Sequence, residues 1–300
     1  MTAPSLWQGG GMAQIEVPPM PMLDGDALLW AWYALLVSVS ALNLVALASA
    51  WKRIDARDDY GAWMKRLAVP WVLECAWRSV FPSLYLQRYV FWDTPLNAIL
   101  VDRTWACAGE LAYVAQTALA LVHLDGELRA GGTRWVRASG AAMLVVYVFA
   151  EAASYYNVAT TNELWAAIEV AIDALAYVCI APAVFSLRAR CPADAACSAR
   201  LYCGALSVYC VVFPLYNFFV DVPMYLQRYA ADEAAGKVYL PFWRGLVDAA
   251  TTRIPTHALE DWRADMFWMT AYFSLGAWSG ILLMVGPRVE SGAGAKRAPV

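Results

Sequence analysis

Apolar residues along this chain fall into blocks of about twenty or more, separated by short stretches where polar and charged residues collect. A helix needs about 20 mostly apolar residues to cross the hydrocarbon of a bilayer. Residues 27–51, 201–220 and 266–286 reach that length with no Asp, Glu, Lys or Arg. Residues 104–124, 138–161 and 164–187 reach it with acids embedded in them: Glu110 in the first, Glu151 in the second, Glu169 and Asp173 in the third. A seventh block, residues 67–87, contains Glu74, Arg78 and Pro82 and reads as a span broken near its end. The pattern predicts an all-α polytopic membrane protein, a bundle of seven transmembrane helices over residues 26–287. Residues 1–25 contain no Lys or Arg, so they lack the basic start of a cleavable signal, and they read as a disordered extracytoplasmic tail. Residues 288–300 read as a cytoplasmic tail.

Basic residues concentrate on the cytoplasmic side of membrane proteins. With the N-terminus outside, the inner segments hold Lys52, Arg53, Arg57, Lys65 and Arg66, then Arg129, Arg134 and Arg137. Arg188, Arg190 and Arg200 follow, and finally Arg288, Lys296 and Arg297, together 14 of the 22 Lys and Arg. The short outer segments hold Arg88 and Arg103, so the reading is N-out and C-in. Two outer connections, 91–101 and 238–247, are apolar, aromatic and interrupted by proline, and are expected to lie along the interface and cap the outer face. A short repeat also appears: Tyr-Leu-Gln-Arg-Tyr occurs at 85–89 and again at 225–229, each time after a proline (Pro82, Pro223). It suggests a weak parallel 3+1+3 repeat with the fourth span as linker.

Composition agrees with a bilayer protein. The chain is 61% hydrophobic and 16% charged, where a soluble domain carries about 25% charged residues. Its 15 Trp and 16 Tyr suit the headgroup layer. A net charge of −3 with no basic stripe removes nucleic acid from the partners. The seven cysteines form no CxxC pair, so they read as packing residues and not as a zinc site or disulfide framework.

The ionisable residues inside the spans carry the chemistry, because a charge in hydrocarbon costs several kcal/mol and persists for a reason. Glu110, Glu151, Glu169 and Asp173, with Glu74 and Arg78, all fall in the outer halves of their spans. Glu163, Asp221 and Asp265 sit at span ends, where a structural role is expected. Glu74 and Arg78, four apart, share a helix face, as do Glu169 and Asp173. Arg78 needs a carboxylate on a neighbouring helix as well, with Glu110, Glu151 and Glu169 as candidates. The expectation is an acidic polar cavity open to the outer side.

Some chemistry is set aside. His123 and His257 are too few for a multi-histidine metal cluster. All four lysines (Lys52, Lys65, Lys237, Lys296) lie outside the spans, so no retinal Schiff base is expected. Carboxylate-held Mg²⁺ or Mn²⁺ remains open, and no cofactor is assigned. The leading reading is a transporter or channel for a cation or small solute, with the lipid bilayer and a cation or small-molecule ligand as partners. Two alternatives stand beside it: a membrane-embedded enzyme acting on a lipid or isoprenoid, and a non-catalytic receptor or assembly subunit.

Overall fold

The computed structural model describes residues 25–54, 59–128, 133–191 and 198–287. The two tails, apart from Gly25, and the basic residues Arg57, Arg129, Arg288, Lys296 and Arg297 lie outside the described residues. Long helices dominate: α1 (Gly25–Trp51), α2 (Asp59–Val80), α3 (Ile99–Leu128), α4 (Arg134–Thr160) and α5 (Glu163–Arg190). Next, α6 (Ser198–Tyr216) runs through a π-helical turn at Asn217–Asp221 into α7 (Val222–Ala234). After α8 (Phe242–Thr251) and the single turn α9 (Leu259–Trp262), the last long stretch comprises α10 (Met266–Ala271), a π turn at Tyr272–Gly276 and α11 (Ala277–Val285). Six of these stretches are long and apolar enough to cross a membrane: α1, α3, α4, α5, α6 with α7, and α10 with α11. Their outward surfaces are greasy, with Val45, Leu201, Phe219 and Leu282 more than half exposed. This is the architecture of a multi-pass membrane protein.

The end of the bundle where α1 begins is called the upper end below. The joint between α4 and α5 shows how the sequence sets an antiparallel pair there. Thr161 takes a left-handed conformation after the last turn of α4, and the Asn162 side chain accepts a hydrogen bond from Leu164 N at 2.9 Å to cap α5. So short a joint brings Glu151 and Glu169 to similar depths below the same end.

α2 departs from the reading of residues 67–87. It starts eight residues earlier and stops at Val80, because Pro82 disfavours helix in the residue before it. Half of its 22 residues are buried, packed among α1, α3 and α11. Its charge density follows from its neighbour. α2 and α3 run antiparallel with polar contacts along their whole length: Arg78 with Asp102, Glu74 over Gly109, Trp71 on Tyr113, the Met64 carbonyl with Gln116, and Tyr60 on His123. Gly109 makes the approach possible, since a Cβ there would stand 2.7 Å from the Glu74 Cβ.

The upper end is capped by segments far apart in sequence. β1 (Ser83–Leu84) pairs antiparallel with β2 (Tyr89–Val90), and β2 pairs in parallel with β3 (Ile254–Pro255). Arg88, at φ 59°, makes the tight turn, and its guanidinium meets Asp248 of α8 at 2.8 Å. Partial burial works against the Asp248 carboxylate. Hydrogen bonds from Thr252 and Arg88 outweigh it and hold the pKa below the ordinary aspartate value. α8 lies on α4 through Gly245, where a Cβ would stand 1.7 Å from the Ala159 carbonyl oxygen. Its other side exposes Trp243 and Val247. The repeated pentapeptide takes two structures: residues 85–89 form the β1–β2 turn, while residues 225–229 are helical within α7. Tyr-Leu-Gln-Arg-Tyr is thus shaped by its surroundings at each of the two places.

Candidate functional site

Two arginines, one on α2 and one on α3, organise the polar interior near the upper end. Arg78 reaches the last turn of α2 with its side chain 7% exposed. Its Nη1 donates to Glu74 Oε1 one turn back at 2.8 Å, and its Nε lies 3.2 Å from Asp102 Oδ1 on α3. Ser83 Oγ donates to the other Asp102 oxygen at 2.7 Å. The rings of Tyr272 and Phe273 lie 5.5 and 5.0 Å from the guanidinium carbon and cover it.

Arg103, the next residue along α3, turns towards α4 and α5. Its Nη2 donates to Glu151 of α4 and lies 3.2 Å from Glu110 Oε2, two turns along α3. Its Nη1 lies 3.7 Å from Glu169 Oε1 of α5. Glu110 also accepts a hydrogen bond from Tyr272 Oη at 2.9 Å. The π turn that begins at Tyr272 lies on the last long stretch, so that stretch is tied to the same network. One turn below Glu169, Asp173 keeps Oδ1 buried with no hydrogen-bond partner among the described residues.

All six residues singled out from the sequence therefore lie in one region: Glu74, Arg78, Glu110, Glu151 and Glu169 within the network, Asp173 beside it. The pairing differs from the expectation. Arg78 meets Asp102, and the three acids proposed for it gather on Arg103 instead. The two arginines also change the character of the site. Glu74 and Asp102 are no more than 1% exposed, while Glu110 and Glu169 keep 15% and 20%. Asp102, Arg103 and Tyr272 escaped the sequence reading. The signal for the first two was the apolar run Ile99-Leu100-Val101, which begins the third long helix three residues before them. The three acids at the span ends stay apart from the Arg103 cluster in the chain's layout: Glu163 in the first turn of α5, Asp221 closing the first π turn, Asp265 before α10.

Six carboxyl groups thus face two guanidiniums. Among the described residues, no group of three or more His, Cys, Asp and Glu side chains is placed to hold a metal ion. The glutamates direct their oxygens at Arg103, not at a shared coordination centre. Comparison with family models, with curated proteins and with solved structures returns no match for this chain.

Proposed function

We propose that this multi-pass membrane protein is a transporter or channel for a cation, and that the proton is the ion its buried carboxyl groups hold. The observation that carries the reading is the imbalance around Arg103. Three glutamates from three helices share one guanidinium, and beside them Asp173 buries one oxygen that has no hydrogen-bond partner among the described residues. Leaving an uncompensated charge buried costs about 3–5 kcal/mol. The excess acids are relieved most simply by protons, which need no coordination sphere.

The geometry supports an order of events. Glu169 is held at 3.7 Å, more loosely than Glu110 at 3.2 Å. When a proton reaches the cluster, Glu169 is the carboxylate that leaves Arg103 first. Asp173, one turn away on the same face, is the next acceptor. In this reading α2 crosses the membrane as a seventh span, which its 22 residues, about 33 Å of helix, are long enough to do. The chain is N-out and C-in, and the upper end faces outward.

Vesicles holding a pH-sensitive dye and the purified protein test the reading, with a potassium diffusion potential as the driving force. The wild type is expected to acidify the lumen. Glu151→Gln and Asp173→Asn should slow it roughly tenfold or more, while Glu260→Gln, on the exposed face of α9, should not. Wild-type rates equal to those of protein-free vesicles, or unaffected by the two interior substitutions, would overturn the proposal.

A further inference from the structure

The α2–α3 contact does not end at the carboxyl groups. On α3 the residues Tyr113, Gln116, Ala120, His123 and Glu127 recur at intervals of three and four, so they form one stripe that continues to the lower end. Tyr113 stacks on Trp71 at 4.5 Å, and Trp71 meets Tyr272, the residue bonded to Glu110, at 5.5 Å. At the far end Tyr60 stacks on His123 at 3.6 Å, and His123 Nε2 lies 3.3 Å from Glu127 Oε1. Those two side chains are 26% and 31% exposed, in the last two turns of α3.

Ala120, the small residue of the stripe, belongs to a buried apolar cluster against which Tyr60, Tyr113 and, from α6, Tyr202 all pack. Tyr202 packs there with its hydroxyl buried and without a hydrogen-bond partner among the described residues. Its electrostatic neighbours include both Tyr113 above and Tyr60 below. A buried phenol normally finds a partner, and this one packs against the same cluster as two other phenols, Tyr113 and Tyr60.

We propose that this stripe is the lower half of the proton route, with Tyr202 as the link between Tyr113 and Tyr60 and His123 as the port at the lower face. The inference rests on the reading of the upper network as a proton site. At each phenol the oxygen takes up the incoming proton as it releases its own to the next acceptor, so no phenolate is left behind. The proton reaches the imidazole of His123 and leaves through Nε2 and the Glu127 carboxylate to water.

The vesicle assay above tests it with three variants. Tyr202→Phe removes one oxygen and no packing volume, and is expected to slow the proton flux roughly tenfold. His123→Ala should slow it as much, and imidazole added to the buffer should restore it, which repair of a merely structural defect would not do. If Tyr202→Phe is too unstable to reconstitute, the imidazole rescue of His123→Ala decides alone. Flux within about twofold of wild type in Tyr202→Phe and His123→Ala, with Glu151→Gln still blocked, would overturn this route and leave the upper site standing. Loss of flux in His123→Ala without rescue would also overturn the port. No flux from the wild type would remove both proposals together.

Discussion

Arg103 is held in place by charge: its side chain is 4% exposed and its guanidinium lies against Glu110, Glu151 and Glu169 on three different helices. Arg103→Leu would leave the carboxyl cluster without its counter-charge, a loss of about 3–5 kcal/mol. Arg103→Lys keeps the charge but not the planar fork that reaches several acids at once. Detergent unfolding should therefore rank wild type above Lys and Lys well above Leu; equal midpoints for Lys and Leu would contradict the account. Tyr272→Phe keeps the ring over Arg78 and removes only the bond to Glu110, at about 1 kcal/mol. The acids were legible in the sequence because each stood out against an apolar block. Asp102 and Arg103 were not, because the apolar block that reveals their helix starts after them and assigned them to water. Tyr272 is one of 16 tyrosines, and no pattern marks the one that a π turn aims at a glutamate.

At the scale of elements, the cap depends on a close helix contact and one ion pair. Gly245→Ala would drive a methyl group into the Ala159 carbonyl, so α8 must lift away from α4. Overpacking of this kind costs about 1–3 kcal/mol, and a cysteine placed at buried Ala249 should become reactive to a soluble maleimide only in that variant. Unchanged labelling would contradict the packing described. Asp248 has a folded pKa below its unfolded value of about 3.9. Its contribution is therefore full above that pH and is lost as the pH falls through the folded value. Asp248→Asn should be less stable than wild type at neutral pH by about 1–2 kcal/mol, and the difference should close in acid. A difference that persists in acid would assign the effect to packing. The cap is built from residues 83–90 and 254–255 with α8, and only α8 overlaps the two connections, 91–101 and 238–247, read from the sequence as capping. A three-strand sheet built from residues 83–84, 89–90 and 254–255 arises from pairing across the chain, which local pattern does not encode. The same limit applies to α2, whose end was set by Pro82 and whose polar face is explained only once α3 lies against it.

For the whole molecule, the apolar blocks alone revealed the helical membrane architecture, since length and hydropathy are local properties. The convergence of the charges was not legible, because it depends on the register between helices. α2 decides the topology: seven crossings put the two termini on opposite sides of the membrane, six put them on the same side. Reporters fused to each end should answer from opposite sides, the C-terminus inside; both on one side would remove α2 from the membrane-crossing set. The central claim is that the excess carboxyl groups near Arg103 carry protons inside the bilayer. Infrared spectroscopy of the reconstituted protein at neutral pH reads this directly, through the carbonyl stretch of neutral carboxylic acids and its shift in heavy water. The account expects that band in the wild type and a smaller one in Asp173→Asn. A spectrum with ionised carboxylates only, the same in both proteins, would contradict it.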